Sequence, residues 1–215
     1  VGLKLTAMVY LVAACVALLP WRLRGDEIRA LLLYGAAALA GLVLSHGAWS
    51  WALYQRFRNP IFPLFNGIFR SPFEAPVSFA DMRFFPETTL GYLTYPLEWA
   101  FTMSTDVAEV PLRDPRFALL LVAALGMVLM RVVLGPLGRA VTFVAVFAVA
   151  SYAVWLVRFS ILRYAVPVEV VTGSMLVLLV AVPLRAGVLR PVAAASLASL
   201  SAIVLAAYTR SPDWG

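Results

Sequence analysis

The chain has 215 residues, 63% of them hydrophobic and only 13% charged, with a formal net charge of +6. Soluble domains sit nearer half apolar and a quarter charged, so this composition excludes an ordinary soluble globule and points to lipid. The positive charge does not make a nucleic-acid binder, because it is scattered in short clusters between apolar blocks rather than gathered on one polar face.

Six apolar blocks are read as spans, at residues 5–20, 30–50, 117–134, 140–157, 167–184 and 191–208. Only helices and closed barrels satisfy the backbone inside a bilayer, and continuous apolar runs select helices. The expected fold class is an all-α membrane protein, one transmembrane domain of about six helices with a long outer loop, residues 51–116, containing short interfacial helices. Between the first two spans, Gly25-Asp26-Glu27 reads as a turn and helix start. The second block carries small residues from Gly35 to Gly41, which permit close helix approach, and ends in the interfacial aromatics Trp49, Trp51 and Tyr54. Cys15 and His46 are each the only residue of their type, which excludes a disulfide framework and a four-ligand zinc site.

The loop opens with Asn59-Pro60-Ile61-Phe62-Pro63-Leu64-Phe65-Asn66, followed by Phe69-Arg70-Ser71-Pro72-Phe73. Pro60, Pro63, Pro72 and Pro76 forbid a continuous helix. Phe62, Phe65, Phe69 and Phe73 recur every three to four residues, which predicts a short interfacial helix over Phe62–Phe69 with its rings packed. Thr88–Ser104 predicts a second helix with Leu90, Leu93, Leu97 and Phe101 on one face. Asp114 is placed to cap the next span.

Arg22, Arg24 and Arg29, then Arg131 with Arg139, then Arg185 with Arg190, fall in short connections on one face, as cytoplasmic loops require. The stretch from Tyr54 to Arg116 holds six Arg against seven Asp or Glu and belongs outside. Val1, Arg158–Pro167 and Gly215 fall on the same outer side. Arg158 and Arg163 break the charge rule there. Either Arg163 pairs with Glu169 or snorkels to lipid phosphates, or the two form a cationic site for a phosphate carried in the outer leaflet.

No nucleotide loop, dinucleotide fingerprint or zinc-protease motif is present. Thr172-Gly173-Ser174 lies within a span without a usable histidine, which excludes triad hydrolysis. The loop carboxylates, Asp81, Glu87, Glu98, Asp106, Glu109 and Asp114, either form a solvated face or hold a divalent cation or act as a base.

The pattern N-P-x-F-P-x-x-N-x-x-F-x-S-P over Asn59–Pro72, with R-Y-x-x-P over Arg163–Pro167 just before a span, resembles bacterial polytopic glycosyltransferases of the GT-C superfamily. Gly2-Leu3-Lys4-Leu5-Thr6 and Asp213-Trp214-Gly215 are also similar to pieces of that group. The resemblance implies a sugar donor linked to polyprenyl phosphate, membrane lipid as partner, no nucleic acid, and a bacterial inner-membrane location. It implies a catalytic Asp or Glu in a first outer loop, which here would lie upstream of Val1, so the chain is expected to be the later part of the membrane region with no catalytic residue assigned in it. Arg163 and Tyr164, joined by Lys4, are expected near the carrier phosphate, and Asn59, Asn66 and Asp81 on the outer wall of the site. The cofactor is left open: the leaving phosphate is to be stabilised by a cationic side chain or by a divalent cation. Two rival functions stand beside this one: a lipid or solute transporter or flippase, which would call for ionisable mid-span residues and broken helices, and a non-catalytic assembly subunit whose loop binds a partner.

Overall fold

The computed structural model describes residues 5–19, 25–77 and 81–209. Among these residues eight α-helices run in order: α1 Met8–Leu18, α2 Gly25–Phe57, α3 Asn66–Phe69, α4 Thr89–Glu98, α5 Arg116–Leu134, α6 Arg139–Arg158, α7 Val166–Arg185 and α8 Pro191–Tyr208. Among the described residues the only β-type pairing is an isolated bridge between Ser104 and Leu112. The all-helical class therefore holds.

Among the described residues, five helices are long and apolar enough to cross a membrane: α2 from Ile28 to Phe57, then α5, α6, α7 and α8. The first expected span differs. Its α-helix has 11 residues after one 3-10 turn, Leu5–Ala7, and 11 residues rise only about 16 Å, half of a hydrocarbon core of about 30 Å. The second span is longer than expected, ending at Phe57 rather than residue 50. Nothing in Trp51–Phe57 breaks a helix, and the first proline arrives at Pro60.

In the packed bundle α1 lies on α6, α5 and α6 lie on α7, α8 lies on α7, and α2 touches α1. α5 and α7 approach closely at Gly126, where an added Cβ would stand 2.3 Å from Leu179 Cδ1. An aromatic core sits at one end of the bundle. The Trp99 and Phe117 rings lie 4.8 Å apart, Phe117 and Trp155 5.5 Å, and Tyr152 and Trp155 5.7 Å.

The loop collects at that same end. Arg113 donates from Nε to the carbonyl of Tyr208 at 2.9 Å and from Nη2 to that of Ala207 at 3.1 Å, closing the last turn of α8. The Leu162 amide donates to the Val107 carbonyl at 2.8 Å, and the Tyr10 hydroxyl donates to the Tyr164 carbonyl. The start of α1, the end of α2, the α6–α7 connection and the end of α8 thus share one end. Arg131, Arg139, Arg185 and Arg190 flank helix ends at the other; Arg22 and Arg24 lie outside the described residues. Single cysteines at Val77 and Gly138, in a Cys15→Ala background, should label with an impermeant reagent from opposite sides of sealed vesicles. Labelling of both from one side would overturn this arrangement.

The loop helices are shorter than expected. The Phe62–Phe69 helix is confined to α3, Asn66–Phe69, because Pro63 and the turns at residues 60–65 occupy its first half. The Thr88–Ser104 helix ends at Glu98, capped at its start by Thr88 Oγ1, which accepts the Gly91 amide at 3.0 Å. Its buried residues are Tyr95 and Pro96, followed by the buried Trp99 just past its end. Leu90, Leu93, Leu97 and Phe101 are left exposed, with Phe101 edge-on to Tyr208 at the end of α8.

Candidate functional site

The phenylalanine-rich loop is built around two buried amides. Asn66 is fully buried; its Nδ2 donates to the carbonyls of Ser71, Glu74 and Ala75 at 3.1, 2.8 and 3.0 Å, and its Oδ1 accepts the Ser71 amide at 2.8 Å. Asn59 is equally buried, donating to the Leu64 carbonyl at 3.0 Å and accepting the Ile61 amide at 3.0 Å. One side chain with both donors and acceptors can tie a chain of prolines that supplies few ladder partners of its own. Phe62 stacks on Phe57 at 4.3 Å, with Phe73 edge-on to the same ring at 5.5 Å and itself 60% exposed. The expectation of packed rings therefore holds for Phe62 and Phe65 and fails for Phe69 and Phe73, both of which are exposed.

Backbone strain gathers here. The described non-glycine residues at positive φ are Arg58, Phe65, Arg70 and Ser160, at 59°, 53°, 52° and 52°. Each costs about 1–2 kcal/mol in this region, and such strain clusters where a site is held in a set geometry. Ser160 lies in the connection facing the loop. It is held by its amide donating to the Trp155 carbonyl at 3.0 Å and its Oγ donating to the Leu156 carbonyl at 2.6 Å, while Trp155 Nε1 donates to the Ile161 carbonyl at 2.9 Å. That turn delivers Arg163 and Tyr164 on a 3-10 turn, Leu162–Tyr164.

Between these two strained segments lies a cavity of about 520 Å3. Its apolar walls come from Met8 and Val9 of α1, Leu42 and Val43 of α2, and Ile61, Leu64 and Phe65 of the loop. Its polar wall is formed by His46, Asp81, Arg158, Arg163 and Tyr164. Of the expected site residues, Asp81, Arg163 and Tyr164 are brought together. Asn59 and Asn66 do not line the cavity: their amides are spent on loop backbone, so their part is to hold the wall rather than form it. Lys4 lies outside the described residues.

The charges are partitioned. Arg163 pairs with Glu109 at 3.1 Å, not with Glu169, and both partners are about half exposed. Glu169 points from the first turn of α7 toward α5 and takes Arg116 at 2.8 Å, while Arg116 also clamps the buried Asp114. Asp114 does not occupy the N-cap position of α5, which falls to Pro115; from one residue further out it accepts the Arg116 amide at 2.9 Å. Asp81 is bound by Arg83 at 2.6 Å, and the hydrogen bond from that guanidinium holds its carboxyl below the usual carboxylate range. Arg158 makes no ion pair among the described residues; its guanidinium lies 5.2 Å from the Phe65 ring centre and 6.0 Å from that of Phe159. His46, in the α2 wall, is buried with Nδ1 lacking a hydrogen-bond partner.

His46 and Phe65 were not legible as site residues, because a lone histidine in an apolar run and one ring among many carry no pattern. Among the described residues no three His, Cys, Asp or Glu side chains converge, so the residues do not form a protein cage for a divalent cation. Comparison with protein-family models, curated proteins and solved structures returns no match for this chain.

Proposed function

We propose that this chain forms part of an integral-membrane glycosyltransferase that moves a sugar from a polyprenyl-phosphate donor to an acceptor at the outer face of a bacterial inner membrane. The observation that supports this reading most is the cavity itself. It joins two arginines to walls of aliphatic side chains at the loop end of an apolar bundle, a setting suited to a phosphate carried on a lipid chain. In inverting transfer the acceptor oxygen bonds the anomeric carbon as the carbon–oxygen bond to phosphate breaks. The leaving phosphate takes the electron pair, and the acceptor proton passes to a base. The arginines supply charge for the leaving phosphate. Asp81, held ionised by Arg83, is a weak base.

Arg163→Ala in the intact protein should lower transfer at least about tenfold while leaving folding unharmed, since half-exposed ion pairs such as Arg163–Glu109 contribute about 0–1 kcal/mol. Arg163→Lys should recover only part of the activity, because an ammonium cannot make bidentate contact with phosphate. Glu109→Gln is the control, as it breaks the same ion pair and leaves the guanidinium in place; transfer should survive it. Equal losses in Arg163→Ala and Glu109→Gln would assign the pair a structural role. A stable, fully active Arg163→Ala protein would end the assignment of the leaving-phosphate charge to Arg163.

A further inference from the structure

Two arginines meet the cavity, and their surroundings differ. Arg163 is answered by Glu109. Arg158 has aromatic faces at its guanidinium and no carboxylate among the described residues. An uncompensated guanidinium beside apolar walls is costly unless an anion joins it, whereas ring faces orient it without neutralising its charge. Arg158 also stands at a junction. Beside the cavity runs a shallow apolar groove between α1 and α6, lined by Met8, Val9, Val12, Ala153, Val154 and Val157, and Arg158 with Met8 and Val9 belongs to both. Across the cavity, the buried Nδ1 of His46 awaits a partner.

We propose that Arg158 is the anchor for the headgroup of a phosphate-bearing lipid whose chain lies in the α1–α6 groove, and that Phe65, set by the Asn59–Asn66 loop, is the residue that positions its guanidinium. This rests on the cavity being a lipid-phosphate site and adds which arginine takes the phosphate and where the chain runs. It also gives the Asn-Pro-x-Phe-Pro loop a task. Asn59 and Asn66 hold a turn in which Phe65 adopts φ 53°, and that turn carries the ring to Arg158. Arg163, engaged by Glu109, contributes less to affinity.

The test uses a benzophenone-tagged farnesyl monophosphate photo-crosslinked to the purified protein in phosphatidylcholine nanodiscs. Adducts should map to Met8–Val12 and Ala153–Val157. Arg158→Ala should raise the half-saturating concentration at least about tenfold, the scale of a lost charge-assisted contact, and Arg163→Ala should raise it less. Phe65→Leu should raise it about fivefold, the scale of one cation–π contact, while Phe65→Tyr, which keeps the ring, should bind normally. In the Arg158→Ala background Phe65→Leu should add nothing; an independent loss there would make Phe65 merely structural. Farnesyl monophosphate should compete, and farnesol and equimolar inorganic phosphate should not. Inorganic phosphate competing as well as the lipid would overturn the lipid source. Adducts outside the groove would overturn the path of the chain. Binding lost in Arg163→Ala but intact in Arg158→Ala would overturn the assignment of Arg158 while sparing the lipid-phosphate reading. Binding intact in both variants would remove both.

Discussion

Arg116→Leu should be among the most destabilising single changes in this protein, lowering stability by about 3–5 kcal/mol, the range for removing one member of a buried ion pair. Arg116 bridges two carboxylates: Asp114, whose side chain is only 3% exposed, and Glu169 on α7, 18% exposed. Without the guanidinium, two acids remain in contact range at the loop end of α5 and α7, one of them buried with no counter-charge. Thermal unfolding of the detergent-purified protein should show the loss. Glu169→Gln should cost far less, about 1 kcal/mol, because the amide oxygen still accepts from Arg116 and the Asp114 clamp survives. Equal damage from both substitutions would mean that the α5–α7 link, rather than the burial of Asp114, carries the energy.

Asn66→Ala should cost about 2–3 kcal/mol, the range for leaving buried backbone groups unpaired. Ser71, itself 2% exposed, would lose the acceptor for its amide and one donor to its carbonyl. The Glu74 and Ala75 carbonyls belong to exposed residues and recover water, which keeps the cost from rising further. Asn66→Asp should be worse, because it keeps the acceptor, removes the donor and buries a charge. Hydrogen exchange and limited proteolysis over residues 59–77 should report the release of the loop before the bundle unfolds. Unchanged protection of that segment in Asn66→Ala would refute the scaffold role. Loss of the loop should also displace Phe65 from Arg158.

What the linear chain determined by itself was set by solvent. Apolar runs of the right length can only be helices in lipid, so α2, α5, α6, α7 and α8 were legible, as was the position of the polar interruption between them. The oddity of Arg158 and Arg163 was legible too, since the charge rule depends only on which connections carry arginine. Helix ends within the loop were not, because hydrophobic periodicity cannot tell that tertiary space over α5 accepts Tyr95 and Trp99 in preference to Leu90, Leu93 and Leu97. Ion-pair partners were undecidable for the same reason. Glu169 lies six residues from Arg163, yet one turn of helix aims it at Arg116 from a different element, while Glu109 arrives from the loop. Asn59 and Asn66 have the composition of ligand-binding residues, and only the folded loop assigns their hydrogen bonds to its own backbone. The cavity belongs wholly to the tertiary structure: His46, Phe65, Asp81 and Arg158 come from four separate segments, and no local rule of sequence brings them to one wall.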